Sequence, residues 1–322
     1  MNATDSKIDD RSENGSKSVE ISVVVPTYRR PDHLKRTLLS CIEQRNLERK
    51  FEIIVVDNDE NVSARTTVQT IAKATKIPIV YLEEARAGIS WARNAGVAAA
   101  SGRFIAFLDD DEFATPEWLN SLWTTIQDAG ADIAFGPVIP RFAIPDAAVS
   151  AYAKKVYTRD AQLASGTELE WGAIGNCIIR AERCFGNLLP FDPRLGISGG
   201  EDALFLHQAR ADGRKLVWCA EAVVWETIPM AKLSYSYLLK RAFRGGQTTT
   251  FVHLATKPAN LSRALRTMVI GCGQVAICAP AGGFLLLAGH SRALDVVAKA
   301  AGGLGKLVCH PTFHVPLYRS RK

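Results

Sequence analysis

From residue 20 onward the chain alternates short apolar runs with amphipathic stretches, and this alternation restricts the fold more than any other feature. The apolar runs are rich in β-branched residues, as buried strands are, and the stretches between them carry apolar residues at helical spacing. Strands that recur about every 25 to 30 residues with helices between them indicate βαβ units, and so a Rossmann-like α/β fold with a mostly parallel sheet. The predicted strands are 20–27, 51–57, 77–83, 103–108, 132–139, 173–180 and 215–220, and the predicted helices are 31–44, 61–75, 88–100, 116–130, 201–213 and 233–249.

Three polar segments stand at or just past the ends of predicted strands: 26–30, 57–59 and 109–111. Parallel sheets bind their ligands beyond the carboxyl ends of the strands. The fold alone therefore predicts that these three segments converge on one binding site.

Asp109, Asp110 and Asp111 are consecutive carboxylates directly after an apolar run. Such a cluster carries like-charge repulsion unless a cation or hydrogen-bond donors offset it. A hard divalent cation, Mg²⁺ or Mn²⁺, takes carboxylate oxygens and shares its remaining sites with a diphosphate. A solvated acidic turn is the alternative, but the βαβ context favours metal–diphosphate binding.

Two further positions suit a nucleotide. Asp57 and Asp59 follow a buried strand and can accept hydrogen bonds from a ribose or a base edge, although a helix cap is the simpler role for Asp59. Arg93, with Asn94 beside it, lies in the helix before the aspartate strand, where its guanidinium can pair with a phosphate or point outward into solvent.

Glu201 and Asp202 open a predicted helix after Gly199 and Gly200. Carboxylates in a first helical turn are explained by the helix dipole. The same position also holds a carboxylate rigidly at the edge of a cleft, where it can remove a proton from a hydroxyl nucleophile. The rest of the pattern favours this second interpretation.

Other motifs carry less weight. Residues 196–200 match G-x-S-x-G, but the strand that a hydrolase elbow requires does not precede them. His310 and His314 are separated by Pro311, which disrupts a helical metal-binding face. The sequence contains neither G-x-G-x-x-G nor a Walker A run.

Charge and hydropathy set the C-terminal third apart. After residue 226 there are 13 Lys and Arg residues against one acid, whereas residues 1–226 hold 26 against 32. Residues 267–289 contain no formal charge and could span a bilayer core of roughly 30 Å, although five glycines, Pro280 and Gln274 weaken the helix. Full spanning, an interfacial or re-entrant segment and a buried helix pair stay open, and membrane contact is favoured.

Cysteine usage and the N-terminal segment both indicate the cellular compartment of the protein. Seven cysteines without a C-x-x-C pair, most of them in apolar runs, indicate buried thiols in a reducing compartment rather than disulfides or a zinc site. Residues 1–18 are polar, lack an apolar signal region and are predicted to be a disordered tail. We therefore expect a cytoplasmic catalytic body.

The motifs together resemble a known family. The chain contains, in this order, VVVPTYRR, VVDND, ARNAG, FLDDDE and GGEDALF. This combination resembles the family 2 glycosyltransferases with the GT-A fold and covers roughly residues 20–228. The stretches GISWARNAG and AFLDDDE are especially similar to bacterial exopolysaccharide glucosyltransferases of the succinoglycan type.

The resemblance implies roles for individual residues. Asp202 would be the general base, with Glu201 beside it shaping the acceptor site. Asp111 would ligate a divalent cation, Mg²⁺ or Mn²⁺, and Asp109 would contact the nucleotide sugar and share the metal. The other implied nucleotide-sugar contacts are Pro26, Thr27, Tyr28, Arg30, Asp57, Asp59, Arg93, Asn94, Asp110, Arg241 and Arg244.

One departure from the family bears on processivity. Many processive relatives carry Q-x-x-R-W, and here residues 240–244 read KRAFR without the tryptophan. The missing tryptophan predicts an enzyme that adds a single sugar instead of a polymerase. The resemblance itself implies an inverting transfer of a hexose, with UDP-glucose as donor. The basic C-terminal third suits the cytoplasmic face of the inner membrane, where a lipid-linked saccharide acceptor would be found.

The chain is therefore predicted to contain a tail (1–18), a GT-A domain (19–228) with a nucleotide half (19–112) and an acceptor half (113–228), and a basic, helical membrane-associating region (229–322).

A sugar nucleotidyltransferase is one alternative to the glycosyltransferase function, although the glycine-rich loop usual for that class is missing from PTYRRP. A non-catalytic protein that binds at the membrane surface is another. A nucleic-acid partner is not expected, because the basic segment has scattered aromatics and no recognised module.

Overall fold

The computed structural model describes residues 19–145, 150–186 and 189–310, so the predicted tail at 1–18 lies outside the described residues. Its first half alternates strands and helices as predicted. Strands β1 to β4 pair in parallel in the order β3-β2-β1-β4. The elements are β1 (Ile21–Thr27), α1 (Pro31–Ile42), β2 (Phe51–Asp57), α2 (Arg65–Ala72), β3 (Ile79–Glu83), α3 (Ile89–Ala99) and β4 (Phe104–Leu108).

The second half extends this sheet and adds a smaller one. The main sheet has seven strands in the order β3-β2-β1-β4-β8-β6-β9, with β8 antiparallel to both neighbours. A three-stranded sheet, β5-β10-β7, lies apart from it. The elements are β5 (Glu112–Ala114), α4 (Trp118–Asp128), β6 (Ile133–Phe135), β7 (Val138–Phe142), α5 (Ala151–Tyr157), β8 (Asn176–Arg180), α6 (Ala181–Cys184), α7 (Glu201–Ala211), β9 (Leu216–Trp218) and β10 (Val224–Ile228).

The single strand predicted at 132–139 is wrong, because the structure divides it between the two sheets. Gly136 and Pro137 separate β6 from β7. Gly136 approaches the neighbouring backbone so closely that an added Cβ would lie 2.1 Å from the Ala222 carbonyl oxygen, and Pro137 has no N–H to offer a ladder. The chain therefore leaves the main sheet here and continues into the small one.

The hydrophobic core fills both faces of the main sheet, which explains why its strands carry apolar residues on both faces instead of alternating apolar and polar positions. Along β1, Val23 and Val25 pack with α1, α2 and α4 on one face, whereas Val24 packs with α3 and α7 on the other. The prediction of buried thiols holds for Cys41, Cys177, Cys219 and Cys309, while Cys272 is exposed.

Up to residue 310, the last described position, the C-terminal region contains the α-helices α8 (Tyr235–Ala255), α9 (Leu261–Leu287) and α10 (Ala293–Leu307). Pro280 lies inside α9 without ending it. Glycines bring the helix backbones into contact, since a Cβ on Gly305 of α10 would lie 1.9 Å from the Phe243 carbonyl oxygen of α8. On its other side, α10 meets α9 at Gly271, where an added Cβ would lie 2.7 Å from the Gly303 carbonyl oxygen.

Candidate active site

The predicted strand-end segments border one cavity of about 510 Å³. The ends of β1 and β4 form part of its wall, and the first turn of α7 and one face of α8 form other parts. The site residues predicted from the sequence that line it are Pro26, Thr27, Tyr28, Arg30, Arg93, Asp109, Asp110, Asp111, Glu201, Asp202, Arg241 and Arg244.

Asp110 points into the protein. Its carboxylate accepts a hydrogen bond from the Thr27 hydroxyl at 2.8 Å and pairs with Arg30 Nη1 at 2.9 Å. Burial raises the pKa of Asp110 to about 6, against the lowering influence of Arg30. This carboxylate therefore ties the end of β4 to the end of β1.

Asp111 is paired with two cations. One of its carboxylate oxygens lies 2.9 Å from Arg30 Nη1 and 3.2 Å from Lys232 Nζ. Burial alone would raise the pKa of Asp111, but Lys232 and Arg30 outweigh it and hold the pKa below its ordinary value. Asp109 is more accessible, with 32% of its side chain exposed and only a 3.3 Å contact to Arg93.

Helix α7 begins directly after Gly200, whose φ of +97° is a conformation that favours glycine. Glu201 is buried and pairs with Arg93 Nη1 at 2.6 Å. Burial, reinforced by the neighbouring charge of Asp202, raises the pKa of Glu201 to about 7. The second carboxylate oxygen of Glu201 has no hydrogen-bond partner within the described residues.

Asp202 lines the cavity and keeps most of its hydrogen-bonding capacity. The one hydrogen bond that the structure shows to its carboxylate comes from the Ala203 amide at 2.7 Å. A half-buried carboxylate at the start of a helix, facing a cavity, has the geometry expected of a base for a bound hydroxyl group.

Arg241 and Arg244 extend from α8 into the same cavity. The Arg244 guanidinium donates to the Ser198 carbonyl oxygen, next to the glycine pair before α7. The Arg241 guanidinium lies 5.0 Å from the centre of the Tyr157 ring. Two guanidinium groups therefore border the same cavity as the acidic strand end.

Three predicted residues do not line the cavity. Asp57 is fully buried and accepts hydrogen bonds from the backbone amides of Asp59 and Ala64 and from the Tyr81 hydroxyl. Asp59 pairs with Arg29 at 2.9 Å. The binding roles of Asp57 and Asp59 remain predictions, and the residue between them, Asn58, is the one that lines the cavity.

Asn94 is the third of these residues. Its side-chain amide donates to the Phe191 carbonyl oxygen at 2.7 Å and accepts from the Phe191 amide at 3.0 Å. This double contact holds the segment that precedes α7 against α3. A direct contact of Asn94 with a nucleotide sugar also remains a prediction.

Beside Asp111 lies a group of charged residues that no sequence motif predicts, and three of them, Arg159, Glu226 and Lys232, also line the cavity. Arg159 pairs with Glu112 at 2.8 Å and with Glu226 at 3.0 Å, and Lys232 lies 3.7 Å from Glu226. Burial raises the pKa of Glu112 well above its usual value. Glu112 ends the FLDDDE motif, but its partners are distant in sequence and reach it through the pairing of β10 with β5 and β7.

The acidic residues suit a divalent cation whose remaining coordination positions are filled by a substrate. Within 19–145, 150–186 and 189–310, no group of three or more His, Cys, Asp or Glu side chains converges as a metal cage. Mg²⁺ is commonly bound through one or two carboxylates together with substrate phosphates. Asp109 and Asp111, which line a cavity that also contains guanidinium groups, form a donor set of this kind.

The fold and the cavity define an α/β protein that binds its ligand at the carboxyl ends of a mostly parallel sheet. The chain belongs to glycosyl transferase family 2, whose model matches residues 22–182. It is 33% identical over 267 residues to the succinoglycan biosynthesis protein ExoM of Rhizobium meliloti, a match that covers 83% of this chain and 85% of ExoM.

Solved structures with the same architecture are glycosyltransferases. The mannosyltransferase PcManGT from Pyrobaculum calidifontis, in complex with GDP-Man and Mn²⁺, aligns with a TM-score of 0.58 and 16% identity over 90% of this chain and 87% of PcManGT. Residues 1–349 of S. aureus TarS, in complex with UDP, align with a TM-score of 0.51 and 17% identity over 89% of each chain. At these identities the likeness concerns the fold, which is the GT-A fold expected from the sequence.

Proposed function

We propose that this protein is an inverting, metal-dependent hexosyltransferase of bacterial exopolysaccharide or related cell-surface polysaccharide biosynthesis. Its donor would be a UDP-sugar, UDP-glucose in particular, and its acceptor a lipid-linked oligosaccharide. The observation that carries the proposal is that Asp202 and the pair Asp109 and Asp111 line one cavity. A sugar bound in this cavity could then contact both the base, Asp202, and the proposed diphosphate site at Asp109 and Asp111.

The donor half of the cavity suits a nucleoside diphosphate. Asp109 and Asp111 would hold the divalent cation, which when bound offsets the negative charge that builds on the departing diphosphate. Arg241 and Arg244 supply fixed positive charge on the α8 side. Pro26, Thr27 and Tyr28 would contact the base and ribose at the end of β1.

The acceptor half suits activation of a hydroxyl group. Asp202 would take the proton of an acceptor hydroxyl, whose oxygen then bonds to the anomeric carbon while the bond from that carbon to the diphosphate oxygen breaks. One displacement of this kind inverts the anomeric centre. Glu201 would stay in place through its ion pair with Arg93 and shape the floor beside the acceptor.

The comparisons support a role in polysaccharide biosynthesis and a nucleotide sugar as donor. ExoM is named for succinoglycan biosynthesis, TarS was solved with UDP, and PcManGT was solved with GDP-Man and Mn²⁺. Since one of these structures was solved with a uridine nucleotide and the other with a guanosine nucleotide, the thermal-shift experiment below includes both UDP and GDP.

The proposed location is the cytoplasmic face of the inner membrane. Its support is α9, a helix that is long and apolar enough to cross a membrane by length and composition, together with the excess of basic residues after residue 226. An acceptor on a lipid carrier would be presented at that surface.

The donor site is tested by the thermal stability of the detergent-extracted full chain with UDP, GDP or UDP-glucose, each with and without Mn²⁺. A ligand at about 100 times its dissociation constant adds roughly 2.7 kcal/mol to the free energy of unfolding, a shift of a few degrees. We expect a UDP shift that needs Mn²⁺ and is lost in Asp111→Asn. Asp128→Asn, an exposed position on α4, is the matched control. No shift with any nucleotide, in folded protein, would overturn the proposal.

The base is tested by Asp202→Asn. Sugar transfer should fall on the order of 10² to 10⁴-fold, because the acceptor hydroxyl loses its proton acceptor. The UDP shift should persist, because Asp202 belongs to the acceptor half of the proposed site. Release of nucleoside diphosphate identifies a transferase, whereas release of pyrophosphate would identify a nucleotidyltransferase.

A further inference from the structure

Helix α9 presents an apolar surface that the rest of the described chain leaves open. Only 11% of its most apolar 18-residue window is buried. Val269, Ile277 and Phe284 are 64%, 71% and 71% exposed, and Leu287 at the end of the helix is 93% exposed. A continuous apolar surface of this kind marks a site of protein or membrane contact.

The buried side of α9 is a narrow stripe that faces α10 and, near the start of the helix, α8. Gly271 and Gly282 face α10, Gln274 accepts a hydrogen bond from Lys306 of α10 at 2.8 Å, and the Thr267 hydroxyl lies 3.1 Å from that of Thr250 in α8. Positions 267–289 carry no formal charge, so the remainder of the circumference there offers no charged face to water. An apolar medium would therefore surround most of this helix.

Packing against the catalytic body prevents α9 from crossing a bilayer by itself. α9 contacts α10 along much of its length, from Gly271 against Gly303 to Gly282 against Val297. α10 is in turn in backbone contact with α8, where a Cβ on Gly246 would lie 2.0 Å from the Gly302 carbonyl oxygen. If α9 spanned, α8 would enter the same layer.

Entry of α8 into the hydrocarbon would be costly. α8 carries Lys240, Arg241 and Arg244, and the two arginines line the catalytic cavity. A charged side chain at the centre of a bilayer costs several kcal/mol, and three on one helix multiply that cost. The helix packing therefore favours a depth at which the exposed surface of α9 enters the membrane and the charged first half of α8 stays outside.

Charge at the two ends of α9 indicates the same orientation. Arg263 and Arg266 are exposed near its start, and Arg292 is exposed just past its end. A spanning helix with cations at both ends has no charge asymmetry to orient it. A helix that lies along an anionic leaflet places both basic ends near lipid headgroups.

We propose that α9 lies in the plane of the membrane, with its exposed apolar surface among the acyl chains and both ends on the cytoplasmic side. The partner is an anionic lipid bilayer, and the protein is monotopic, without a spanning segment among the described residues. This extends the membrane location proposed above and is independent of the transferase chemistry.

The topology is tested with a membrane-impermeant maleimide on two full-chain variants, Ser262→Cys and Ser291→Cys, at exposed positions beside the two ends of α9. Labelling above that of the parent chain should occur for both variants in inside-out inner-membrane vesicles, and for neither in spheroplasts. Labelling of the two variants from opposite sides would establish a spanning helix and overturn the proposal.

The lipid-facing surface is tested with Ile277→Glu and Phe284→Glu. We expect each to weaken binding to vesicles of phosphatidylcholine and phosphatidylglycerol about tenfold or more, since a charge enters the apolar layer. Leu163→Glu, at an exposed leucine on the catalytic body, is the control and should bind normally. The UDP-induced thermal shift should persist in all three variants, so a failed donor site is distinguishable from a failed membrane contact.

A second copy of the chain is the competing occupant of this surface. If Ile277→Glu converted a dimer into a monomer while vesicle binding stayed unchanged, α9 would be a protein interface and the proposal would be wrong.

Discussion

At the scale of single residues, Asp111 stands out because two cations share one of its oxygens. Arg30 and Lys232 both lie within 3.2 Å of Asp111 Oδ2, although Asp111 is the carboxylate that the family resemblance assigns to a metal. A divalent cation bound to Asp111 would lie close to two positive charges, and the repulsion would oppose its binding. Lys232 and the proposed metal would therefore compete for the same carboxylate.

Lys232→Met tests this competition. Without the ammonium group, the concentration of Mn²⁺ needed for half of the UDP-dependent thermal shift should fall severalfold, while the unliganded protein loses stability because a buried carboxylate loses a partner. Lys240→Met, an exposed lysine on α8, should change neither quantity. An unaltered Mn²⁺ requirement in Lys232→Met would contradict competition between Lys232 and the metal for Asp111.

Glu201 should make the stability of the protein depend on pH. Its pKa is about 7 in the folded protein, raised first by burial, against an ordinary value of 4.5. Because the folded state holds this proton more tightly than the unfolded state, stability falls as pH rises from 4.5 to 7 and the loss then levels off. The pKa difference corresponds to a loss on the order of 3 kcal/mol.

Glu201→Gln removes the titrating group and so should remove this loss. The melting temperature of the variant relative to the parent chain should be more favourable at pH 8 than at pH 5, as measured by calorimetry without nucleotide. Glu170→Gln, an exposed glutamate, should show no such trend. A constant difference between Glu201→Gln and the parent at both pH values would contradict the raised pKa.

The sequence predicted the cavity residues well where strand ends determine their position. Asp109 to Asp111 follow β4 directly, so the parallel sheet alone places them beside Thr27 and Arg30 at the end of β1. Asp57 was expected at the same edge and is there, but the turn into α2 uses both of its oxygens. A motif cannot show whether a carboxylate serves the backbone or a ligand.

At the scale of elements, close glycine contacts hold the C-terminal helices together. Gly245 and Gly246 are neighbours in α8 with opposite surroundings: a Cβ on Gly246 would collide with the Gly302 carbonyl, whereas a Cβ on Gly245 would meet nothing within 4 Å. Substitutions at these two adjacent positions therefore distinguish the effect of helix packing on stability from the effect of helix propensity.

Gly246→Ala should destabilise the protein by about 1–3 kcal/mol, because α8 and α10 must move apart. Gly245→Ala should leave stability unchanged or raise it by up to about 1 kcal/mol, because alanine is the better helix former. Thermal unfolding without ligand measures both. Equal effects from the two substitutions would contradict the close approach of α8 and α10.

Hydrophobic periodicity predicts α1 to α4, α7, α8 and the main parallel strands, whereas it does not predict α5, α6, α10 or the small sheet. β5, β7 and β10 are short, and β7 was merged with β6 because apolar residues continue across Gly136 and Pro137. Glu226 and Lys232 could not be placed for the same reason, since their position depends on how β10 pairs. Tertiary pairing, and not local pattern, determines this side of the cavity.

At the scale of the whole molecule, charge is divided between a mildly acidic catalytic body and a basic C-terminal third. The formal balance is −6 for residues 1–226 and +12 for the remainder, from 26 against 32 and 13 against one charged residues. Such a division orients the molecule as it approaches an anionic surface.

This orientation predicts a salt-dependent rate of membrane capture. At low ionic strength, protein diluted from detergent should bind vesicles of phosphatidylcholine and phosphatidylglycerol faster than vesicles of phosphatidylcholine alone, measured by energy transfer from tryptophan to a dansyl lipid. At about 1 M salt, where the screening length is about 3 Å, the two rates should converge. Equal rates at low salt would show that the basic third does not guide binding.

The packing of α9 against α8 also limits how far the cavity can lie from a membrane. α9 contacts α8 directly where the Thr267 and Thr250 hydroxyl groups lie 3.1 Å apart. Packed helices lie 8–10 Å apart between axes, so a bilayer held by α9 would lie only about one such spacing, on the order of 10 Å, from the axis of α8, whose side chains line the cavity. An acceptor anchored in that bilayer would have to extend over this height before its terminal hydroxyl reached Asp202, which would favour acceptors with a glycan of sufficient length.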